Sequence, residues 1–182
     1  MQVSWVMTVI GKDRPGLVES VAKMVAEHGG NWLESRMCRL GGEFAGLLRI
    51  QVGAEEEQAL RQALNGLQGQ GLTVVVHTDR TESSQQPGRW AGLEIVGHDR
   101  PGIVRQISSA LARQAVNVED LSTECGSAPM MGEPLFKARA RLVIPESCDL
   151  GQLRHELEEI ANDLMVEITF QELNRTEQPA FP

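Results

Sequence analysis

Two six-residue stretches carry most of the chemistry this chain can offer. Gly11-Lys12-Asp13-Arg14-Pro15-Gly16 and Gly97-His98-Asp99-Arg100-Pro101-Gly102 each set a carboxylate three residues ahead of a glycine. Proline is at ease in the first turn of a helix and drives the residue before it out of the α region, so a helix is expected to begin at Pro15. The first N–H groups of such a helix lie open at the positive end of its dipole. Those of Gly16 and Leu17 can hold a carboxylate while Asp13 accepts from an ammonium group, a combination suited to a free amino acid. Gly16 lacks a Cβ, so a ligand can approach the backbone closely. The same argument applies to Asp99, Gly102 and Ile103.

A plainer reading stands beside this one and is compatible with it. Asp13 and Asp99 satisfy orphan amides as N-caps, and the glycines serve chain geometry. Arg14 and Arg100 either steer a carboxylate or are simply solvated. Asn31 and Asn117 come after the first helix of each copy; they either close the site or end the helix in the left-handed conformation.

Other chemistries fail on spacing. Gly11 to Gly16 has the outline of a phosphate loop, but Leu17-Val18 stand where Lys-Ser/Thr is required. His28, His77, His98 and His155 show no metal-ligand spacing, so no metal is expected. The three cysteines, Cys38, Cys125 and Cys148, contain no C-x-x-C pair and fit a reducing compartment. Cys38 and Cys125 fall on strand positions, where a small buried hydrophobe is the expected role. No Ser-His-Asp or Cys-His arrangement points to catalysis.

Behind the two stretches lies a duplication. Gly11 and Gly97 begin them, an offset of 86 positions, and at that offset Val18 matches Val104, Val25 falls on Leu111, Asn31 matches Asn117 and Glu34 falls on Asp120. A recurrent turn would not fix the spacing of the residues beyond it, so a whole unit is repeated. In the first copy Val3, Trp5, Met7 and Val9 alternate as in a half-buried strand, and Val18, Val21, Ala22 and Val25 recur at helical spacing up to Gly29-Gly30. A hairpin turns at Gly41-Gly42, Ala59, Leu60, Ala63, Leu64 and Leu67 mark a second helix, and Thr73 to His77 is a last strand. The order is βαββαβ. The second copy repeats it, with Phe136, Ala138, Ala140, Leu142 and Ile144 alternating against Lys137, Arg139 and Arg141.

The expected domains are 1–78 and 90–173, joined by a polar linker at 79–89 and trailed by a flexible tail at 174–182. One difference between the copies is the long segment 126–134, which replaces the Gly-Gly turn. Its Met130 and Met131 either form an adaptable partner-binding surface or fold back over the sheet edge.

Composition narrows the function. The formal charge is −8, and three Trp, four Phe and no Tyr leave few platforms for stacking bases. Direct nucleic-acid binding is disfavoured, and no apolar run approaches a membrane span. The N-terminus lacks the basic and apolar regions of a signal peptide, so a cytoplasmic location is expected.

The βαββαβ order, the Gly-x-Asp-Arg-Pro-Gly turn and the Asn after the first helix resemble the ACT domain, a small amino-acid-sensing module, over nearly the whole chain apart from linker and tail. The resemblance implies an α+β fold of two ferredoxin-like domains, antiparallel sheets with helices on one face, paired side by side, with amino acids bound at the seam near the turns. Two such domains with nothing else, and the segment from Ser127 to Phe136, further resemble tandem-domain transcriptional repressors for which glycine is the effector. That implies a regulator with no catalytic domain and no cofactor, acting by contact with a DNA-binding activator rather than with DNA. A sensor of another amino acid, a regulatory subunit of a metabolic enzyme, and a homodimer are the alternatives left open.

Overall fold

A computed structural model describes residues 1–79, 88–127 and 134–173. The chain divides into two compact units, Met1–Ser83 and Ser84–Pro182. The expected tail and residues 80–87 of the expected linker, together with Met130 and Met131, lie outside the described residues, while Gly88 and Arg89, also expected in the linker, form the start of a strand.

The first unit runs β1 (Gln2–Lys12), α1 (Leu17–Glu27), β2 (Asn31–Leu40), β3 (Glu43–Gly53), α2 (Glu57–Gly66), a short 3₁₀ turn (Leu67–Gln70) and β4 (Leu72–Thr78). The second runs β5 (Gly88–His98), α3 (Ile103–Arg113), β6 (Asn117–Ser127), β7 (Pro134–Pro145), α4 (Leu150–Leu164) and β8 (Val166–Leu173). Both sheets are antiparallel, with strand orders β2-β3-β1-β4 and β6-β7-β5-β8. The α+β reading and the repeat of βαββαβ therefore hold.

Period-two alternation fixes which face of each sheet is buried. Trp5, Met7 and Val9 point to one side of β1 and meet Leu17, Val21 and Val25 of α1 and Leu60 and Leu64 of α2 in the first core. In the second, Leu93 and Ile95 meet Ile107 and Leu111 of α3 and Leu153 and Leu157 of α4. Gly41 and Gly42, at φ 60° and 85°, form the two-residue hairpin turn that their sequence predicts. A feature the pattern did not disclose is a bulge at Leu33 in β2 and at Glu119 in β6, the same place in each copy.

Helix starts differ from expectation. α1 begins at Leu17, not Pro15, because Gly16 takes a left-handed φ of 90° that no helix interior admits; Gly102 does the same before α3 at φ 99°. Asn31 and Asn117 do not end helices in the left-handed conformation but open strands β2 and β6. Gly29, at φ 64°, and Ala115, at φ 53°, take the left-handed position.

Gly11 occupies the end of β1 because the neighbouring strand leaves no room. A Cβ there would lie 2.5 Å from the Gly71 carbonyl oxygen, and one on Gly97 would lie 2.6 Å from Val166 Cγ1. Gly11→Ala is expected to destabilise the first unit by about 1–3 kcal/mol, the cost of forcing backbone apart in a packed site. Gly66→Ala, where no atom lies within 4 Å, should be neutral or gain up to about 1 kcal/mol from helix propensity. Thermal denaturation of the two variants checks the contrast, which equal transitions would abolish.

Candidate functional site

The β1–α1 turn is held from three sides by its own unit. The Asp13 N–H donates to the Gly42 carbonyl at 3.0 Å, so the turn hangs on the β2–β3 hairpin. The Asp13 carboxylate accepts from Arg39 Nε at 2.7 Å across the exposed surface. Arg14 reaches in the other direction and donates to the Gln70 carbonyl at 3.1 Å.

The turn between β5 and α3 repeats the scaffold. The Asp99 N–H donates to the Pro134 carbonyl at 3.1 Å. Arg100 lies against the Met165 sulfur at 3.9 Å, again at the segment that precedes the last strand. Both arginines thus brace the turn against the end of the second helical segment.

Capping by the aspartates does not occur. Neither α1 nor α3 receives a side-chain cap: each is preceded by a glycine, and the carboxylates of Asp13 and Asp99 point to the hairpin side. A capped helix in this protein looks different, for at α4 the Asp149 carboxylate accepts from the Gln152 N–H at 3.0 Å. The first-turn amides of α1 and α3 therefore stay available to a carboxylate. Leu17 and Ile103 offer only their backbone, since their side chains are buried in the two cores. Gly16 and Gly102 are exposed beside them. Asn31 and Asn117 are also exposed, and Asn117 donates to Glu119 of the bulge at 2.6 Å.

The two turns differ in what faces the acid. Position 39 of the first copy corresponds to 125 of the second, so Cys125 stands where Arg39 does and its thiol faces the Asp99 carboxylate. Position 19 corresponds to 105. Glu19 places its Oε2 within 3.8 Å of where a Gly16 Cβ would sit, while α3 carries no acid in its first turn and has Arg105 at that position. The offset that disclosed the duplication would have disclosed both exchanges.

The cysteines depart from expectation. Cys38 and Cys125 are exposed, and Cys148, which sequence position did not single out, is the buried one. Local desolvation, then the hydrogen bond to Asp99 and its charge, push the Cys125 thiol above its ordinary value. Burial likewise raises Cys148, with Arg89 opposing and Asp149 adding to the shift. Among the described residues no three His, Cys, Asp or Glu side chains converge as a metal site, and no helix is long and apolar enough to cross a membrane.

Comparison with known proteins gives a consistent picture. The ACT domain family matches residues 5–77. The glycine cleavage system transcriptional repressor of Escherichia coli K12 is 22% identical over 163 residues, covering 87% of this chain and 84% of the repressor. A UPF0237 protein of Methanopyrus kandleri is 37% identical over 83 residues, 44% of this chain and 84% of that protein. The crystal structure of an unknown protein from Galdieria sulphuraria matches with a TM-score of 0.80 at 27% identity, over 96% of this chain and 100% of that one.

A raised thiol pKa means less thiolate at a given pH, so Cys125 should alkylate slowly near neutrality. Asp99→Asn removes the negative charge that faces the thiol and lowers its pKa. Iodoacetamide labelling at about pH 8, just below the ordinary thiol value, with peptide mass spectrometry as the readout, should show Cys125 reacting several-fold faster in the variant. An unchanged rate would separate the thiol from Asp99.

Proposed function

Because the chain belongs to the ACT-domain family, we propose that it is a non-catalytic, amino-acid-responsive regulator of transcription, with glycine as effector, acting in the cytoplasm on a DNA-binding activator. The likeness to the glycine cleavage system transcriptional repressor supports this reading, because it extends over both units. A net charge of −8 favours a protein partner over DNA, whose phosphates it would repel.

The observation that carries the proposal is the Asp99 turn: a carboxylate with a neutral thiol as its side-chain partner, beside an uncapped helix start with no acid in its first turn. A zwitterion's ammonium group meets Asp99, and its carboxylate meets the N–H groups of Gly102 and Ile103. The first turn is the poorer site. Arg39 already occupies Asp13 at 2.7 Å, and Glu19 repels an incoming carboxylate. Regulation then requires that glycine bind one state of the protein more tightly than the other, shifting it between partner-competent and partner-released forms.

Titration calorimetry with glycine should give one site per chain. Asp99→Asn is expected to weaken binding about tenfold or more, the loss of one charge-assisted contact, while Asp13→Asn changes it by less than about threefold. Absence of heat from glycine and from a panel of other amino acids would refute the sensor reading. Recovery of the protein from native cytosol with a metabolic enzyme, and with no transcription factor, would redirect the partner assignment.

A further inference from the structure

We propose that the cleft between α3 and α4 of the second unit binds a small organic anion, its carboxylate or phosphate head on Arg105 and its apolar body against Ile160. The cleft has a volume of about 400 Å³ and is lined by Arg105, Gln106, Ser109, Arg113 and Ile160. That volume is within the range of small-molecule sites.

Arg105, Ser109 and Arg113 succeed one another at four-residue steps, so they share one face of α3. Arg113 donates to the Glu156 carboxylate of α4 at 3.0 Å, and Glu156 also accepts from Gln152 at 3.3 Å. This network neutralises one guanidinium and sets the far wall of the cleft. Ser109 Oγ donates to the Arg105 carbonyl at 2.8 Å, which leaves the hydroxyl proton engaged. The Arg105 guanidinium has no acidic partner among the described residues and is exposed. Its N–H donors and the Gln106 amide are free to converge on an anion.

Helix stability does not account for this arginine. A cation in the first turn opposes the helix dipole, which favours acids there. The fold does not demand it either: at the matching positions α1 carries Glu19, Ser20, Lys23 and Glu27, and Lys23 pairs with Glu27 at 3.8 Å. The same scaffold is thus acidic in one copy and basic in the other. In a chain of net charge −8, an uncompensated guanidinium above a helix N-terminus is a local attractor for anions. Ile160 packs against the second core while still lining the cleft, which supplies the apolar wall.

Amide and arginine side-chain NMR of the full chain tests the site with phenyl phosphate, benzoate and inorganic phosphate as probes. Saturable shifts are expected at Gln106, Ser109, Arg113 and Ile160 with at least one organic probe, and binding weaker by about tenfold in Arg105→Gln. The tighter of the two organic probes names the head group, and weaker binding of inorganic phosphate than of phenyl phosphate reports the apolar wall. Arg105 is exposed on α3 and Gln is a good helix former, so the variant keeps its fold, as unchanged amide shifts elsewhere would show. Gly102 and Ile103 report glycine separately in the same spectra, so failure at one site is not failure at the other. No saturable shift with either organic probe, equal binding of inorganic and phenyl phosphate, or binding unaltered in Arg105→Gln would overturn the proposal.

Discussion

Two glycines bracket each Asp-Arg-Pro turn, and they answer to different constraints. Gly11 ends β1 where the Gly71 carbonyl would stand 2.5 Å from a Cβ, so the missing side chain is what lets β1 and β4 meet there. Gly16 supplies a φ of 90°, a region that only glycine visits without strain. Between them the chain has little freedom: it leaves the sheet at a fixed point and enters α1 at a fixed angle, with Leu17 driven into the core. The open amides of the helix start are a consequence. A left-handed residue immediately before the helix displaces Asp13 from capping position, and the aspartate turns to the hairpin instead.

Because the scaffold is set by glycines and core residues, the exposed positions around it are free to diverge between copies. Arg39 against Cys125, Glu19 against Arg105 and Leu33 against Glu119 change the chemistry of the turn, the helix start and the bulge without touching either core. Ala115 shows the limit of that freedom. It takes the left-handed conformation that Gly29 occupies in the first copy, at a cost of about 1–2 kcal/mol for a residue with a Cβ. Val116, next to it, is buried, whereas Gly30 in the first copy would bring a Cβ to 2.8 Å from Val25 Cγ1. The second core gains a side chain where the first admits none.

The same division explains what could be read from the amino-acid sequence. Strand and helix order was legible because burial imposes its period on every element: Phe136, Ala138, Ala140, Leu142 and Ile144 are all buried as their alternation requires. The helix start was not, because Asp and Pro ahead of an apolar run signal a cap and a first turn. Only the backbone angle at Gly16 separates that reading from the observed one. The Asp13–Arg39 pair is non-local, joining the end of β1 to the tip of β2, and emerges only once strand register is known. Cys38 and Cys125 lie on strands β2 and β6 at the edges of their sheets, where alternation no longer implies burial.

Register also decides how readily each acid can exchange its partner. Asp13 is engaged by a guanidinium, a charge-assisted bond that an incoming ammonium group must replace with another of the same kind, gaining little. Asp99 faces a thiol, a weak donor, so a cation arriving there would add a charge-assisted contact in place of a weak one. The acid and the helix amides of each turn sit on a scaffold set by glycines and core residues. At the second turn the charge balance differs from the first: the Asp99 carboxylate faces a thiol, whereas the Asp13 carboxylate faces a guanidinium. The second turn stays tied to its hairpin through the Asp99 N–H and the Pro134 carbonyl at 3.1 Å, so an exchange of partners at the Asp99 carboxylate leaves that backbone bond in place.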